Sequence, residues 1–422
     1  MSFLALDRLR TVPWRALAGL DAATPLGLVL SGQAAERVID RTLRAQPQLT
    51  AAQRTALVEA IFGVSLWRRR IAAQLGAAQL GAAHPGAAQL DSAHLDQGYP
   101  PELLLFGLLR DLAGLDEVEA ARLAGARGGG PLPEPTSLAE RFSFPDWIAQ
   151  VLEHGRAPEE AQALAAALCA PGPIFLRANT LRISRDSLAR LLRAQGISTV
   201  PCAFASAGLR VTSRRPNLLA QAAGLFEVQD EGSQLLGELL EARPGETLLD
   251  LCAGAGGKTL QLAALLEDRG RIVACDPDLE RLARLERRAR KAGATCIEVG
   301  EARPCQRVLV DAPCSELGIL RRGPDARWRR DLAQVAHFPA LQRALLETAL
   351  ANVLPGGLLV YATCTLRDEE NRGVALPFER EHPRLVRLAP RADRSLLAQD
   401  GFFESFPHRH GTDGFFAAVW QC

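Results

Sequence analysis

From residue 245 to the C-terminus the chain alternates short unbroken apolar runs with longer stretches of helical period. The runs are LLDLC (248–252), RIVACD (271–276), RVLVD (307–311), GLLVYATC (357–364) and FFAAVW (415–420). Runs of this length with no polar alternation predict strands buried on both faces. Between them, Leu279–Ala292 and Leu341–Leu354 carry apolar residues at helical spacing. Strand alternating with helix predicts a doubly wound α/β sheet. Ligands of such sheets sit beyond the carboxyl ends of the strands. Every candidate for chemistry in this chain falls at one of those ends.

The first 126 residues read as all-helical. Thr50 is placed to cap a helix whose apolar stripe runs through positions 56, 57, 60, 61, 64, 66 and 67. Pro101–Leu115 is a second helix candidate. Between them, Ala72–Asp96 repeats with a five-residue period, AAQLG AAQLG AAHPG AAQLD SAHLD. That period fits neither helix nor strand, so residues 72–98 are expected to form a mobile loop. RGGGPLPEP (127–135) opens a linker over 127–140. Residues 141–244 make a small mixed subdomain and 245–422 the sheet domain.

Composition narrows the classes. A chain of 422 residues suits two or three domains. It has no apolar run of about 18 residues, so no membrane span is expected. Asp7, Arg8 and Arg10 stand where a signal peptide would be apolar, which points to the cytoplasm. The nine cysteines form no CxxC pair, which argues against a disulfide framework and a zinc site; no metal is expected. Cys169, Cys202, Cys275, Cys296, Cys305 and Cys422 read as small buried hydrophobes. Net charge is only +1, yet arginines concentrate in 171–215 and 303–330. Such patches suit a polyanion or a solvated surface. Arginine has displaced lysine everywhere except Lys258 and Lys291, so a lysine inside a glycine loop is not incidental.

That loop is LLDLCAGAGGKT (248–259). Gly254, Gly256 and Gly257 permit a tight turn and close approach to a ligand. Asp276 ends the next strand, where a carboxylate can hold ribose hydroxyls. Gly257-Lys258-Thr259 also resembles the end of a phosphate-binding P-loop, but that motif requires glycine where Cys252 stands. A nucleoside cofactor without phosphates, S-adenosylmethionine, fits better. Two further cysteines close successive strands: Cys314 after Asp311-Ala312-Pro313, and Cys364 after Ala362-Thr363. A thiolate adding to carbon 6 of cytosine makes carbon 5 nucleophilic, and a base must later remove the carbon 5 proton. Asp311 could support the ring nitrogen. Such a thiolate calls for a depressed pKa, from a helix N-terminus or from Arg321 and Arg322.

These residues resemble the RNA 5-methylcytosine methyltransferases, and within them the RsmB (Sun/Fmu) type. LDLCAGAGGKT is similar to the family's cofactor loop, DAPCSELGILRRGPDARWR to its Pro-Cys motif, and YATCTLRDEEN to its Thr-Cys motif. FEVQDEGSQL, FLRANTL, DGFFAAVW and the helical LTAAQRTALVEAIFGVSLWRRR are similar to other family segments. The resemblance implies a Rossmann-like S-adenosylmethionine-dependent methyltransferase sheet, a small RNA-proximal subdomain and a NusB-like RNA-binding N-terminal domain. It implies that Cys364 is the nucleophile and that Cys314 assists product release. It implies that Cys252, Ala253, Gly254, Ala255, Gly256, Gly257 and Lys258 line the cofactor with Arg281, that Asp276 binds the ribose, and that Asp311 lies between cofactor and base. Glu301 stands where an aspartate usually meets the adenine amine. Gly254-Ala255 replaces the usual Ala-Pro, and Ser315-Glu316 the usual Ser-Gly. The implied substrate is RNA, 16S rRNA first and tRNA as the alternative, with no DNA and no membrane, and a monomer. A P-loop NTPase and a non-catalytic RNA-binding assembly factor remain the competing classes.

Overall fold

The computed structural model describes residues 8–80, 99–126, 134–213 and 224–422, and no side chain for 77–80 or Pro324. The chain divides into two compact units: Met1–Pro171 with Leu320–Gln334, and Gly172–Ile319 with Val335–Cys422.

The first unit is helical. Its longest helix, Ala51–Leu80, opens on Thr50, whose hydroxyl accepts from Gln53 N while Gln53 Oε1 accepts from Thr50 N. Each partner satisfies an end group of the other, a reciprocal cap. The helix runs on through Ala72–Leu80, where a loop was expected. Apart from Gly76, those repeat residues are Ala, Gln and Leu, good helix formers, and Ala72 and Leu75 are buried beside Ile71. Local propensity and burial override the five-residue period there; residues 81–98 lie outside the described residues. Pro101–Gly107 is helical and passes into a wider π-type turn over Leu108–Leu112.

The structure draws the boundary of this unit differently from the expected linker at 127–140. Residues 127–133 lie outside the described residues, but Leu138–Arg141 is a helical turn, and helices Asp146–Glu153 and Pro158–Cys169 belong with the helical unit. Arg69 of the long helix binds them there: its backbone N–H donates to Ser143 Oγ at 3.0 Å and its guanidinium to Phe144 O at 2.7 Å and to Asp146. Leu320–Gln334 joins the same unit from far along the chain. Arg327 is fully buried, donating to Phe142 O and Ser143 O at 3.2 Å and lying 4.2 Å over the Phe144 ring. Trp328 Nε1 donates to Ser65 O at 2.7 Å.

The second unit holds two sheets. A small antiparallel one contains β1 (Phe175–Ala178), β2 (Thr199–Pro201), β3 (Gly208–Val211) and β4 (Phe226–Val228), in the order β2-β3-β1-β4. The large one contains β5 (Thr247–Asp250), β6 (Arg271–Ala274), β7 (Ile297–Val299), β8 (Cys305–Asp311), β9 (Val353–Thr363), β10 (Val386–Arg387), β11 (Phe403–Ser405) and β12 (Phe415–Gln421). Its order is β10-β12-β9-β8-β5-β6-β7, with β11 on β12. The segment β9-β8-β5-β6-β7 is parallel, and β12 runs antiparallel to β9. The order reverses at β5, with β6 on one side and β8 on the other, which places a ligand crevice beyond their carboxyl ends. All five predicted strands are present, and their unbroken apolar runs bury both faces of the sheet.

Arg327→Ala should lower stability by about 3 kcal/mol, because two buried carbonyls lose their donor and a packed guanidinium leaves a hole. Urea unfolding of the whole protein, read by tryptophan fluorescence, measures this.

Candidate active site

The glycine loop leaves β5 and enters helix Gly257–Leu265. Gly254 and Gly256 both have left-handed φ, +53° and +86°. A Cβ on Gly256 would lie 2.1 Å from Leu285 Cδ1, so only glycine fits. Asp276 fixes the loop: its Oδ2 accepts from Gly254 N and its Oδ1 from Asp278 N, both at 2.8 Å. The replacement of the family's usual alanine by Gly254 therefore falls on a position that favours glycine. Arg281 pairs with Asp278 at 3.3 Å at the start of the next helix. Glu301 is exposed in the coil after β7, beside Gly300, whose carbonyl accepts from Cys275 Sγ.

Two loops meet at the ends of β8 and β9. Asp311 pairs with Ala362 across the ladder, so the loops leave the sheet at one height. Cys314 Sγ and Cys364 Sγ lie 3.4 Å apart. The loops are braced together: Ser315 Oγ meets Thr365 Oγ1 at 2.6 Å, and Gly318 N donates to Cys364 O at 2.9 Å. Glu370, fully buried, accepts from Ser315 N at 3.0 Å, Gln342 Nε2 at 3.0 Å and Arg367 at 3.2 Å. Thr363 and Asn371 are also joined, at 2.6 Å. Glu316 has φ +62°, a left-handed conformation that a glycine adopts without cost. The usual glycine at this position thus has a structural reason, and this chain carries a charged residue there instead.

Asp311 does not stand alone. Its Oδ2 accepts from Lys258 Nζ at 2.6 Å. Lys258 loses some basicity to burial, but the attraction and hydrogen bond of Asp311 more than offset this and hold the ammonium above its usual range. Lys258 is spent on a carboxylate at the neighbouring strand end, unlike a P-loop lysine that is directed at phosphates.

Cys364 departs from the expected depressed thiol. Its pKa is pushed well above the usual value, first by its hydrogen bond to Cys314, then by burial and by the charges of Asp311 and Glu316. Arg321 and Arg322, the expected cations, belong to the helical unit. Lys258 is a cation that interacts with both Asp311 and Cys364.

Other arginines of the two patches are structural. Arg177 is buried, donating to Gln229 Oε1 at 2.6 Å and to Gly257 O at 3.2 Å, so the small sheet props the start of the loop helix. Burial lowers its pKa to about 10. Arg307 is held by Glu246 at 2.5 Å and by Leu240 O. Arg303 pairs with Glu298 at 2.6 Å. The thiols set aside as core residues are all free; Cys169 and Cys305 are buried and Cys202, Cys275, Cys296 and Cys422 partly so.

Sequence reasoning missed two groups. Glu227 of β4 pairs with Arg288 at 2.7 Å, and Arg288 also reaches Ala255 O in the loop. Asp250, the last residue of β5, is buried with Lys258, Asp311 and Cys252 around a cleft of about 130 Å³. Its signal was present, a lone carboxylate closing an apolar run, but it read as the end of a strand.

Comparison with known proteins decides the family. The profile of the 16S rRNA methyltransferase RsmB/F family matches residues 238–421, and that of the RsmF/B-like ferredoxin-like domain matches 144–217. The chain is 35% identical over 304 residues to a probable ribosomal RNA small subunit methyltransferase B of Synechocystis, covering 68% of each. The chain belongs to the RsmB/F methyltransferase family. A ribosomal RNA small subunit methyltransferase B of Pseudomonas syringae is 32% identical over 303 residues, 66% of this chain and 65% of the relative. A methyltransferase homologue from Pyrococcus horikoshii shares 26% identity and a TM-score of 0.55 over 66% of this chain and 99% of that structure. The crystal structure of PH0851, at 22% identity, has the same fold over 98% of this chain and 99% of its own, TM-score 0.72. As a family member this is an rRNA methyltransferase with S-adenosylmethionine as cofactor. The loop around Gly254 and Gly256 suits a cofactor that approaches backbone closely, and buried Asp250 lines the cleft beside it. No helix among the described residues is long and apolar enough to cross a membrane, and no cluster of His, Cys, Asp and Glu among them could hold a metal ion.

Removing either influence that holds the Cys364 thiol up should make it more acidic. Cys314→Ala and Glu316→Gly are each expected to shift the pH midpoint of Cys364 alkylation downward by half a unit or more, about 0.7 kcal/mol per half unit. Iodoacetamide labelling across pH 6–10, quantified on the Cys364 peptide by mass spectrometry, reads this.

Proposed function

We propose that this protein methylates carbon 5 of a cytosine in RNA, 16S rRNA first, through a covalent adduct at Cys364. The observation that carries the reading is the pair of thiols 3.4 Å apart beside the Asp311–Lys258 ion pair. A pyrimidine entering from the strand-end crevice meets a nucleophile, a second thiol and a charged pair at once. The target base must leave its stack to get there.

The Cys364 thiol gives its proton to Asp311 as its Sγ bonds to carbon 6; the ring electrons move to carbon 5, and Asp311 passes the proton on to the ring nitrogen. S-adenosylmethionine, when bound, supplies an electrophilic methyl group. Cys314, deprotonated for this step, then takes the carbon 5 proton, the ring nitrogen returns its proton to Asp311, and the bond from carbon 6 to Cys364 breaks to free the thiolate. Lys258 keeps Asp311 in place and offers its charge to the Cys364 thiolate as that forms. The resting thiol is neutral, so the nucleophile is generated when the base arrives, and an exposed thiolate is avoided in its absence.

In this reading Cys252, Ala253, Gly254, Ala255, Gly256, Gly257 and Lys258 line the cofactor, Asp276 takes the ribose hydroxyls, and Arg281 flanks them. Glu301 takes the adenine amine. The helical unit, NusB-like, binds RNA, and so do the arginines left exposed on the small sheet subdomain, so binding weakens with salt. The protein works as a cytoplasmic monomer on RNA and leaves DNA alone.

Two variants test the assignment on unmodified 16S rRNA with labelled cofactor. Cys364→Ala should abolish transfer, a loss of at least a thousandfold. Cys314→Ala should accumulate a protein–RNA adduct that survives denaturing gel electrophoresis. An adduct formed by Cys364→Ala would reverse the roles of the thiols.

A further inference from the structure

Adjacent residues in the turn after β9 each grip one thiol loop, by separate bonds. Asn371 straddles Cys364. Its Oδ1 accepts from Thr363 Oγ1 at 2.6 Å and its Nδ2 donates to Thr365 O at 3.1 Å, so both neighbours of the thiol are tied to one amide. Asn371 also stands at the N-cap of helix Arg372–Glu381, where an asparagine side chain ordinarily accepts from the first turn. It makes no such bond and is turned to the cysteine loop instead.

Glu370 straddles Cys314 in the same manner, with help from Gln342 of helix Phe338–Leu350. Its Oε2 accepts from Ser315 N and from Gln342 Nε2, both at 3.0 Å, and the same Nε2 donates to Pro313 O at 2.9 Å. Pro313 and Ser315 are the neighbours of Cys314. Arg367 balances the Glu370 charge from 3.2 Å, and Tyr361 donates to Glu370 O at 2.6 Å. Glu370 and Gln342 are fully buried. Gln342 Oε1 has no hydrogen-bond partner among the described residues, so this amide sits where its nitrogen serves both acceptors and its own oxygen goes unbonded.

We propose that Asn371 positions Cys364 while Glu370 and Gln342 position Cys314, so that neighbouring residues govern separate steps of one reaction. The proposal rests on the reading of Cys364 as the nucleophile and Cys314 as the thiol that takes the carbon 5 proton. Without the Asn371 bonds the attacking sulfur is misplaced, and a displacement of about 1 Å can cost about a hundredfold in rate. Without the Glu370 and Gln342 bonds the attack proceeds, but the proton acceptor is misplaced and the adduct breaks down slowly. The loops also meet directly through the Ser315 and Thr365 hydroxyls at 2.6 Å, a contact that substitutions at 342, 370 and 371 leave in place.

Variants of the full-length protein test this on unmodified 16S rRNA with labelled cofactor. Asn371→Ala should slow single-turnover methyl transfer about tenfold, with the adduct per methyl group transferred as in wild type. Asn371→Asp, which keeps the acceptor for Thr363, should recover part of that loss. Glu370→Gln and Gln342→Met should each raise the adduct per methyl group transferred, scored on denaturing gels, about fivefold. Gln342→Met leaves the buried Glu370–Arg367 pair intact and carries the test if Glu370→Gln does not fold. The same phenotype in Asn371→Ala and Gln342→Met, or a wild-type adduct level in Gln342→Met, would overturn the proposal. Carbon NMR of cysteine-labelled protein without RNA, its signals assigned from Cys314→Ala and Cys364→Ala, gives a second reading. Gln342→Met should move the Cys314 signal more than that of Cys364, Asn371→Ala should do the reverse, and equal movement would also overturn the proposal. Separate NMR responses in a protein that transfers nothing to cytosine would support the positioning and count against the cytosine reading alone.

Discussion

The parallel ladder between β8 and β9 is the constraint on which the site depends. Five consecutive residues of each strand are in register, ending at Asp311 opposite Ala362. Because the strands finish together, the loops that follow emerge side by side, and thiols 50 residues apart in sequence come into contact. Parallel strands cannot be joined by a tight turn. The chain between them is therefore long, and here part of it, Leu320–Gln334, belongs to the helical unit. Buried Glu370 then ties the loops to each other by accepting from Ser315, Gln342 and Arg367. Pairing of backbones sets the height of the loops, and one charged side chain sets their separation.

The electrostatics of the crevice follow from burial of more acid than base. Asp250, Asp311 and Asp276 each close or follow a strand of the parallel sheet, and Lys258 is the lysine among them. The hydrogen bond to Cys314 and burial, followed by the negative charge of Asp311 and Glu316, hold the Cys364 thiol above its usual range. The ammonium of Lys258 offsets part of that effect. In this chain Glu316 adds to it, at a backbone position whose left-handed φ accommodates glycine best.

Much of the fold was legible along the chain. The five mainly apolar runs became β5, β6, β8, β9 and β12, because a strand buried on both faces is mostly apolar; Arg307 inside β8 is an exception, held by Glu246. The Thr50 cap was legible because its partner, Gln53, lies three residues away. The repeat after Ala72 misled because a five-residue period says nothing about Ala, Gln and Leu as helix formers, nor about the side chains that bury Leu75. The arginine patches misled in another way: Arg177, Arg307 and Arg327 look like surface charge in a string of letters, yet each is buried on carbonyls or a carboxylate.

The sequence by itself determined the parallel sheet, the left-handed glycine turn, and the residue types that reach the strand ends, since these rest on local conformation and on side-chain chemistry. Tertiary structure alone decided which groups meet: that Lys258 pairs with Asp311, that Cys364 touches Cys314, that Asp250 lines the same cleft, and that residues 320–334 pack among helices. Electrostatic coupling depends on separation and burial in space, and residues 50 or more positions apart acquire both only when the strands pair.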